Sequence, residues 1–254
     1  MNPTTLEVLF SPAEFAALKG RDLSETVCVV FDVLRATSTM VTALANGAAA
    51  MIPIEEITEA LALREAQPDL LLAGERDGLR IPATLTGSIG FDLGNSPREF
   101  TAERVHARTI AITTTNGTRA LRACAGASRV LINSLLNLQA TANSIEKMNP
   151  DNLLVVCSGT YDQAAYEDVL GAGALCDLLW RKYDAGRVAD SAHMARRLFR
   201  LEAADLPAAL AQSRNGRRLL SRPDLSEDVA FCARRDVVEL IAEMGKDGRV
   251  TASR

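Results

Sequence analysis

Short apolar runs alternate with amphipathic stretches along most of this chain, and this alternation constrains the fold more than any other feature. The clearest case is Val27–Phe31, which stops abruptly at Asp32 and is followed by an amphipathic stretch from about Thr37 to Asn46. A short apolar run bounded by polar residues is typical of a buried strand, and the stretch after it has helical spacing. Strands that alternate with helices predict an α/β fold whose largely parallel sheet is covered on both faces.

The same pattern predicts the other elements. Further strands are expected at Leu6–Phe10, Ala48–Ile54, Leu70–Ala73, Thr109–Thr113, Val130–Ile132 and Leu153–Val156, and further helices at Ile57–Ala66, Gly117–Cys124, Gln139–Met148 and Asp168–Trp180. The stretch 74–97 is predicted to be irregular, and Gly171 and Gly173 are expected to allow close helix packing.

The chain beyond Arg187 is predicted to be mostly helical, apart from a strand at Val229–Cys232. The Arg-rich stretch 196–222 is interpreted as a solvated helical face rather than a linker. Because the sequence shows no internal repeat and no low-complexity tract, we predict one domain over residues 1–254.

The composition excludes several classes of protein. With 254 residues, 48 % of them hydrophobic, the chain is long enough to bury a full core. A net charge of −4 gives no basic footprint for nucleic acid. We find neither a secretory signal nor an apolar run long enough to span a membrane. The five cysteines lack CxxC spacing, which favours reduced thiols and a cytoplasmic location. A homodimer is expected only because dimers are common.

Asp32 and Arg35 are placed where a predicted strand ends and a helix begins. Ligands bind at this position in open α/β sheets, and helix N-termini there present free N–H groups to anions. The segment Phe31–Thr39 therefore has the chemistry of a site for a metal ion and a phosphate.

Four more polar clusters punctuate the strand and helix pattern, and each has a structural alternative. They are Gly74–Gly78, Gly90–Pro97, Thr113–Thr118, and Cys157–Thr160 together with Glu167 and Asp168. The first fits a charged turn and the second a structural loop as well as a binding site. The third has more small and polar residues than helix capping requires, which favours phosphate binding. The two acids of the fourth either cap a helix or bind a metal ion.

Several common sites are missing from the sequence. No GxGxxG follows a strand, and there is neither a GxxxxGK[ST] loop nor a GxSxG elbow. Haloacid dehalogenase phosphatases carry a second acid two residues after the first, and Leu34 occupies that position here. These absences argue against dinucleotide binding, P-loop NTPase, α/β-hydrolase and haloacid dehalogenase chemistry.

Taken in order, the five clusters resemble the 2-phosphosulfolactate phosphatase (ComB) family. The resemblance covers roughly residues 5 to 235 and rests on Phe31–Thr39, Gly74–Arg76, Gly90–Pro97, Thr114–Thr118, and Cys157–Gly159 with Glu167–Asp168. It implies a single three-layer α/β/α domain with a mixed sheet. It also implies a magnesium-dependent phosphatase that hydrolyses 2-phosphosulfolactate, in the family a step toward coenzyme M.

The chemistry of such a substrate suggests roles for the residues in these clusters. A small, strongly anionic phosphate monoester needs a divalent cation with oxygen ligands and Arg side chains as bidentate donors. We expect catalytic roles for Asp32, Arg35, Glu75 and Asn116, with Mg²⁺ bound by Asp32, Glu75, Glu167 and Asp168. Substrate contacts are expected from Arg35, Ser38, Arg76, Asn95, Ser96, Thr114, Thr115, Asn116, Gly117 and Ser158. Whether Asp32 attacks phosphorus or only holds the metal ion stays open.

Three alternatives also stay open at this stage. The segment 83–89 lengthens a loop relative to the family pattern, which would alter substrate choice if the loop lies beside the site. Another small phosphorylated 2-hydroxy acid is an alternative substrate. A non-catalytic sensor of a phosphorylated metabolite is the main alternative function, and a metal-dependent lyase ranks last because the clusters contain no Lys or His as base.

Overall fold

The computed structural model describes residues 5–183 and 186–253. Its strands are β1 (Thr5–Leu9), β2 (Thr26–Phe31), β3 (Ala50–Ile54), β4 (Leu71–Arg76), β5 (Leu79–Arg80), β6 (Thr109–Thr113), β7 (Arg129–Asn133), β8 (Asn152–Cys157), β9 (Arg187–Val188), β10 (Ile241–Met244) and β11 (Val250–Ser253). Its helices are α1 (Phe15–Leu18), α2 (Ala36–Ala45), α3 (Ile57–Ala66), α4 (Ala83–Thr86), α5 (Ala102–Val105), α6 (Gly117–Ala123), α7 (Leu138–Met148), α8 (Tyr166–Tyr183), α9 (Asp190–Glu202), α10 (Leu206–Gln212), α11 (Arg214–Leu220) and α12 (Glu227–Cys232). Residues 1–4, 184–185 and 254, which the predicted domain includes, lie outside the described residues.

The predicted α/β fold class is confirmed, and so are the predicted strands and helices as far as Trp180. Two predictions were wrong. Val229–Cys232 belongs to helix α12 instead of a strand, and the stretch 74–97 is not wholly irregular, because β4 continues to Arg76 and β5 and α4 follow it. The sequence analysis also missed strands β10 and β11.

The strands of the described residues form one mixed sheet in the order β5-β4-β6-β3-β11-β10-β7-β2-β8-β1-β9. Strands β4, β6 and β3 form one parallel group, and β7, β2, β8, β1 and β9 form a second. The antiparallel hairpin of β10 and β11 joins the two groups. Every residue of β2 is buried, as expected of a central strand in a sheet covered on both faces.

Helices pack on the sheet through three apolar clusters. One cluster joins β1, β2 and β8 to α7, α8 and α9. A second combines side chains of both parallel groups with α2 and α6, and a third lies between β3, β4, β6 and α3. Helix α6 contacts both β2 and β3 and so packs against both parallel groups.

Close packing of α8 depends on the two predicted glycines. A Cβ atom on Gly173 would lie 2.1 Å from the carbonyl oxygen of Ala195 in α9. One on Gly171 would lie 2.7 Å from the Phe31 ring of β2. The expectation of close packing is therefore confirmed, and α8 is fixed tightly behind the strand that leads to Asp32.

No helix within the described part of the chain is long and apolar enough to cross a membrane.

Candidate active site

The loops that follow β2, β4, β6 and β8 meet around one cavity of about 80 Å³. The predicted site residues that line it are Asp32, Arg35, Glu75, Asn95, Thr114, Thr115 and Asn116. All five sequence clusters thus contribute to the wall of this cavity, and the cluster that begins at Cys157 contributes Gly159 and Thr160.

Asp32 is held at the start of α2 by backbone hydrogen bonds. Its Oδ1 accepts a hydrogen bond from the Ala36 N–H (3.0 Å), and its carbonyl oxygen accepts one from the Thr37 N–H (3.0 Å). Burial raises the pKa of the Asp32 carboxyl above its ordinary value, although the Ala36 N–H opposes the shift. The carboxyl is therefore fixed through one oxygen and lines a cavity that disfavours its charge.

Gly117 allows α6 to approach Asp32 closely. A Cβ atom at this position would lie 2.7 Å from the Cβ of Ala36 and 2.8 Å from Asp32 Oδ2. Because real Cβ atoms essentially never approach other atoms this closely, the position requires glycine. The first N–H groups of a helix lack partners within the helix, and here they begin beside Asp32.

Arg35 is buried at the cavity wall and is paired with an acid that the sequence analysis did not single out. Its Nη1 donates to Asp228 Oδ2 (2.8 Å), and its Nη2 donates to the Gly78 carbonyl oxygen (2.9 Å). Asp228 in α12 is also buried and accepts a hydrogen bond from Ser96 Oγ (2.7 Å). These contacts fix the guanidinium group and leave its other N–H groups for a ligand.

Glu75 joins two loops at the cavity. Its Oε1 accepts hydrogen bonds from the N–H (3.0 Å) and hydroxyl (2.9 Å) of Thr115, and its Oε2 accepts one from the Gly78 N–H (2.6 Å). Both carboxylate oxygens are engaged. Glu75 therefore links the loop after β4 to the loop after β6.

Three polar atoms at the cavity wall are buried without a partner among the described residues. They are Asn95 Oδ1, Thr114 Oγ1 and Asn116 Oδ1. Unsatisfied buried polar atoms cost free energy, so a cluster of them in one cavity points to a ligand or an ion that satisfies them.

Four other predicted contact residues do not line the cavity and serve the framework: Ser38, Ser96, Arg76, and Ser158, whose Oγ donates to Asp168. Ser38 Oγ donates to the Val33 carbonyl oxygen (2.8 Å), and Ser96 Oγ is engaged by Asp228. Arg76 donates to the carbonyl oxygens of Glu75 (2.8 Å) and Glu55 (3.1 Å). Their positions favour support of the site over direct substrate contact.

The two acids of the cluster that begins at Cys157 are buried and do not line the cavity. Asp168 accepts hydrogen bonds from the N–H groups of Val33 (2.8 Å) and Gly159 (3.0 Å), and from Ser158 Oγ (3.3 Å). Glu167 Oε1 accepts one from Asn215 Nδ2 (2.6 Å), whereas its Oε2 is buried with no partner in the described residues. Asp168 is thus engaged through both oxygens, and Glu167 through one.

The charges of these acids influence one another. Burial, followed by the charges of Asp32 and Glu167, raises the pKa of Asp168 well above its ordinary value. Burial also raises the pKa of Glu167, and the charge of Asp32 adds to the effect. The site therefore concentrates negative charge that a bound cation would relieve.

A magnesium site with four carboxylates is not assembled in this structure. In residues 5–183 and 186–253, no three His, Cys, Asp or Glu side chains are grouped to hold a metal ion. Glu167 Oε2 nevertheless has no partner, and Asp32 is hydrogen-bonded to the Ala36 N–H through Oδ1. Magnesium commonly takes one or two carboxylates together with substrate phosphate and water. The donor chemistry of these two carboxylates is of the kind that a divalent cation takes.

The C-terminal helices contribute residues that the sequence analysis missed. Asn215, Arg218 and Leu219 of α11 line the cavity, as does Tyr161. The stretch 196–222 is therefore not only a solvated face. The polar run Ser213–Arg218 was the available signal, but nothing in it shows which side faces the strand ends. The segment 83–89, in contrast, does not line the cavity.

Comparison with known proteins identifies similar proteins over most of the chain. A model of the family described as 2-phosphosulpholactate phosphatase matches residues 14–247. A protein of Symbiobacterium thermophilum, named as a probable 2-phosphosulfolactate phosphatase, is 41 % identical over 84 % of this chain and 89 % of its own length. Proteins of the same name from Caldicellulosiruptor saccharolyticus (36 %; 87 % and 90 % covered) and Caldanaerobacter subterraneus subsp. tengcongensis (37 %; 94 % and 95 % covered) are also similar.

Proposed function

Because this chain belongs to the 2-phosphosulpholactate phosphatase family, we propose that it is a phosphoric monoester hydrolase. Its substrate would be 2-phosphosulfolactate or a similar small 2-phospho acid, which water converts to the 2-hydroxy acid and inorganic phosphate. The observation that carries this proposal is one cavity lined by the buried guanidinium group of Arg35, by Asp32 and by the polar side chains of Asn95, Thr114 and Asn116. The guanidinium group offers hydrogen-bond donors to a compact, oxygen-rich anion, and the unpartnered amide oxygens of Asn95 and Asn116 suit a cation or a hydroxyl group.

Arg35 and the loop after β6 are proposed to hold the phosphoryl group. The remaining N–H groups of Arg35 form charge-assisted hydrogen bonds to phosphoryl oxygens, and such bonds are roughly twice as strong as neutral ones. The amide groups of Asn116 and Asn95 and the hydroxyl of Thr114 supply further donors. Since Asp228 and Gly78 already fix Arg35, these donors need little rearrangement when charge develops on the oxygens.

Asp32 and Glu167 are proposed as the protein ligands of Mg²⁺. When bound, the ion would neutralise charge on the phosphoryl oxygens. Asn215 holds Glu167 through one oxygen and the Ala36 N–H holds Asp32 through one oxygen. Asp168 and Glu75 act indirectly, by fixing the loops around these two acids.

The test is the release of inorganic phosphate from 2-phosphosulfolactate, 2-phospholactate and phosphoglycolate, measured in Mg²⁺ and in EDTA. We expect release in Mg²⁺ and its loss in EDTA, with the relative rates identifying the preferred acid. Release that persists in EDTA would overturn the magnesium proposal alone. No release from any substrate, with binding still detected by calorimetry, would overturn the enzymatic function and favour a sensor.

A further inference from the structure

Helix α11 places a second guanidinium group at the cavity. Arg35 and Arg218 are the cationic side chains that line it among the described residues. Arg218 Nε and Arg35 Nη2 lie 3.9 Å and 4.0 Å, respectively, from the point that a Cβ atom on Gly78 would occupy. The two guanidinium groups therefore flank the same residue of the cavity wall.

The two arginines differ in how strongly the protein holds them. Arg35 is buried and bound to the buried Asp228. Arg218 pairs with Asp77 at 3.2 Å, and the Asp77 side chain is 82 % exposed. Exposed ion pairs contribute little to stability because water and salt screen them. A ligand anion can therefore replace Asp77 at Arg218 at small cost, whereas Arg35 keeps its partner.

The position of Arg218 is set by the packing of α11. Ser213 Oγ caps the helix by accepting a hydrogen bond from the Gly216 N–H (2.9 Å). Asn215 Nδ2 donates to Thr160 Oγ1 (2.7 Å) and Glu167 Oε1 (2.6 Å), which ties the helix to the site. Arg218 follows Asn215 by three residues and so lies on the same side of the helix.

We propose that Arg218 binds the second anionic group of the substrate, the carboxylate or sulfonate that does not react. This inference rests on the proposed phosphatase function. The phosphoryl group occupies Arg35 and the loop after β6, and the second anion lies across Gly78, where the guanidinium of Arg218 offers a bidentate fork. Arg218 thereby makes the site selective for phosphorylated acids over simple phosphate esters.

The test compares Arg218→Gln with wild type through three quantities: KM for 2-phosphosulfolactate, KM for 2-phospholactate, and the inhibition constant of inorganic phosphate. Loss of a charge-assisted contact is expected to raise KM for the phosphorylated acids about 10- to 100-fold. kcat should change little, as expected when uniform binding is removed. The inhibition constant of inorganic phosphate should stay within about twofold, because phosphate lacks a second anionic group.

Arg217→Gln is the matched control, since Arg217 is exposed on the same helix and does not line the cavity. It should match wild type in all three quantities. The KM values of Arg218→Lys for the phosphorylated acids should lie between those of wild type and Arg218→Gln. A rise confined to 2-phosphosulfolactate assigns the sulfonate to Arg218, and a rise for both substrates assigns the carboxylate.

Two results would overturn the proposal. One is an unchanged KM for both acids. The other is a rise in the inhibition constant of inorganic phosphate by the same factor as KM, which would place Arg218 at the phosphoryl group. Failure of the phosphatase function itself would be seen separately, as absence of phosphate release by the wild-type protein.

Discussion

Asp228 shows how a single buried residue determines the geometry of the cavity. It neutralises Arg35 and accepts a hydrogen bond from Ser96, so it links α12 to two of the sequence clusters. A buried guanidinium without its carboxylate is costly, because no solvent replaces the lost partner.

Asp228→Asn is predicted to lower both stability and activity. Loss of the charge leaves Arg35 without its buried partner, and we expect the free energy of unfolding to fall by about 3 kcal/mol. Urea unfolding and steady-state phosphate release provide the measurements. Glu227→Gln is the control, because Glu227 is 72 % exposed and pairs with Arg98. If Asp228→Asn behaves like Glu227→Gln, the role assigned to Asp228 is wrong.

Gly117→Ala is predicted to impair activity through a steric effect at Asp32. The added methyl group meets Ala36 and Asp32 Oδ2, and such overpacking typically costs about 1–3 kcal/mol. kcat/KM and urea unfolding should both show the effect. Gly126→Ala is the control, since nothing lies within 4 Å of its Cβ position. Equal behaviour of the two variants would contradict the account.

At the residue scale, those residues of the site that come soon after a strand could be identified from the sequence. Asp32, Arg35 and Thr114 are recognisable because an apolar run ends next to each of them. Asn215, Arg218 and Asp228 lie on helices of six or seven residues. Such helices are too short for periodicity to show which face is buried, so a single sequence does not identify these residues.

At the scale of elements, helix α12 illustrates why a short apolar run is ambiguous. Val229–Cys232 suits a strand or a buried helical turn equally well. Glu227 and Asp228 precede it, and acidic residues favour a helix N-terminus. The ion pair with Arg35 then fixes α12 against the cavity, and this long-range contact is invisible in the local sequence.

Because α8 and α9 are in close contact, replacing a glycine of α8 by alanine is expected to lower the stability of the protein. Gly→Ala in a helix normally stabilises by about 1 kcal/mol. Gly173→Ala is predicted to destabilise by about 2 kcal/mol or more, because its Cβ would lie 2.1 Å from the Ala195 carbonyl oxygen. Thermal and urea unfolding measure the change, again with Gly126→Ala as control. A more stable Gly173→Ala protein would show that α9 moves aside freely.

At the scale of the whole molecule, the hairpin of β10 and β11 joins two parallel groups of strands. The sequence predicted the strands of both groups, because helices separate them along the chain in the usual α/β pattern. It did not predict that β10 and β11 pair between the two groups, in the middle of the sheet. Pairing between β10 and β7 joins residues more than 100 positions apart, and local patterns carry no record of such contacts.

The buried acids predict how the stability of the whole protein depends on pH. Burial raises the pKa of Asp32, Glu167 and Asp168 in the folded state. The folded protein therefore binds more protons than the unfolded chain above the ordinary pKa values, and stability falls as pH rises through the raised pKa values. In EDTA, we expect the free energy of unfolding to fall as the pH rises above the ordinary carboxyl pKa of about 4.

Glu167→Gln should reduce this dependence, because the amide keeps an oxygen for Asn215 and carries no charge. Glu65→Gln, at an exposed position, should leave it unchanged. Mg²⁺ should restore stability at the higher pH in wild type more than in Glu167→Gln. Urea unfolding as a function of pH measures all three effects, and stability of the wild-type protein that rises with pH in EDTA would contradict the assignment.

The most direct test of the central claim is phosphate release from 2-phosphosulfolactate in Mg²⁺ by wild type and Asp32→Asn, with folding of both checked by urea unfolding. Asparagine keeps the oxygen that accepts the Ala36 hydrogen bond, so the fold should persist. We expect turnover by wild type and a fall of at least about 100-fold in kcat for Asp32→Asn. An Asp32→Asn protein as active as wild type would contradict this expectation.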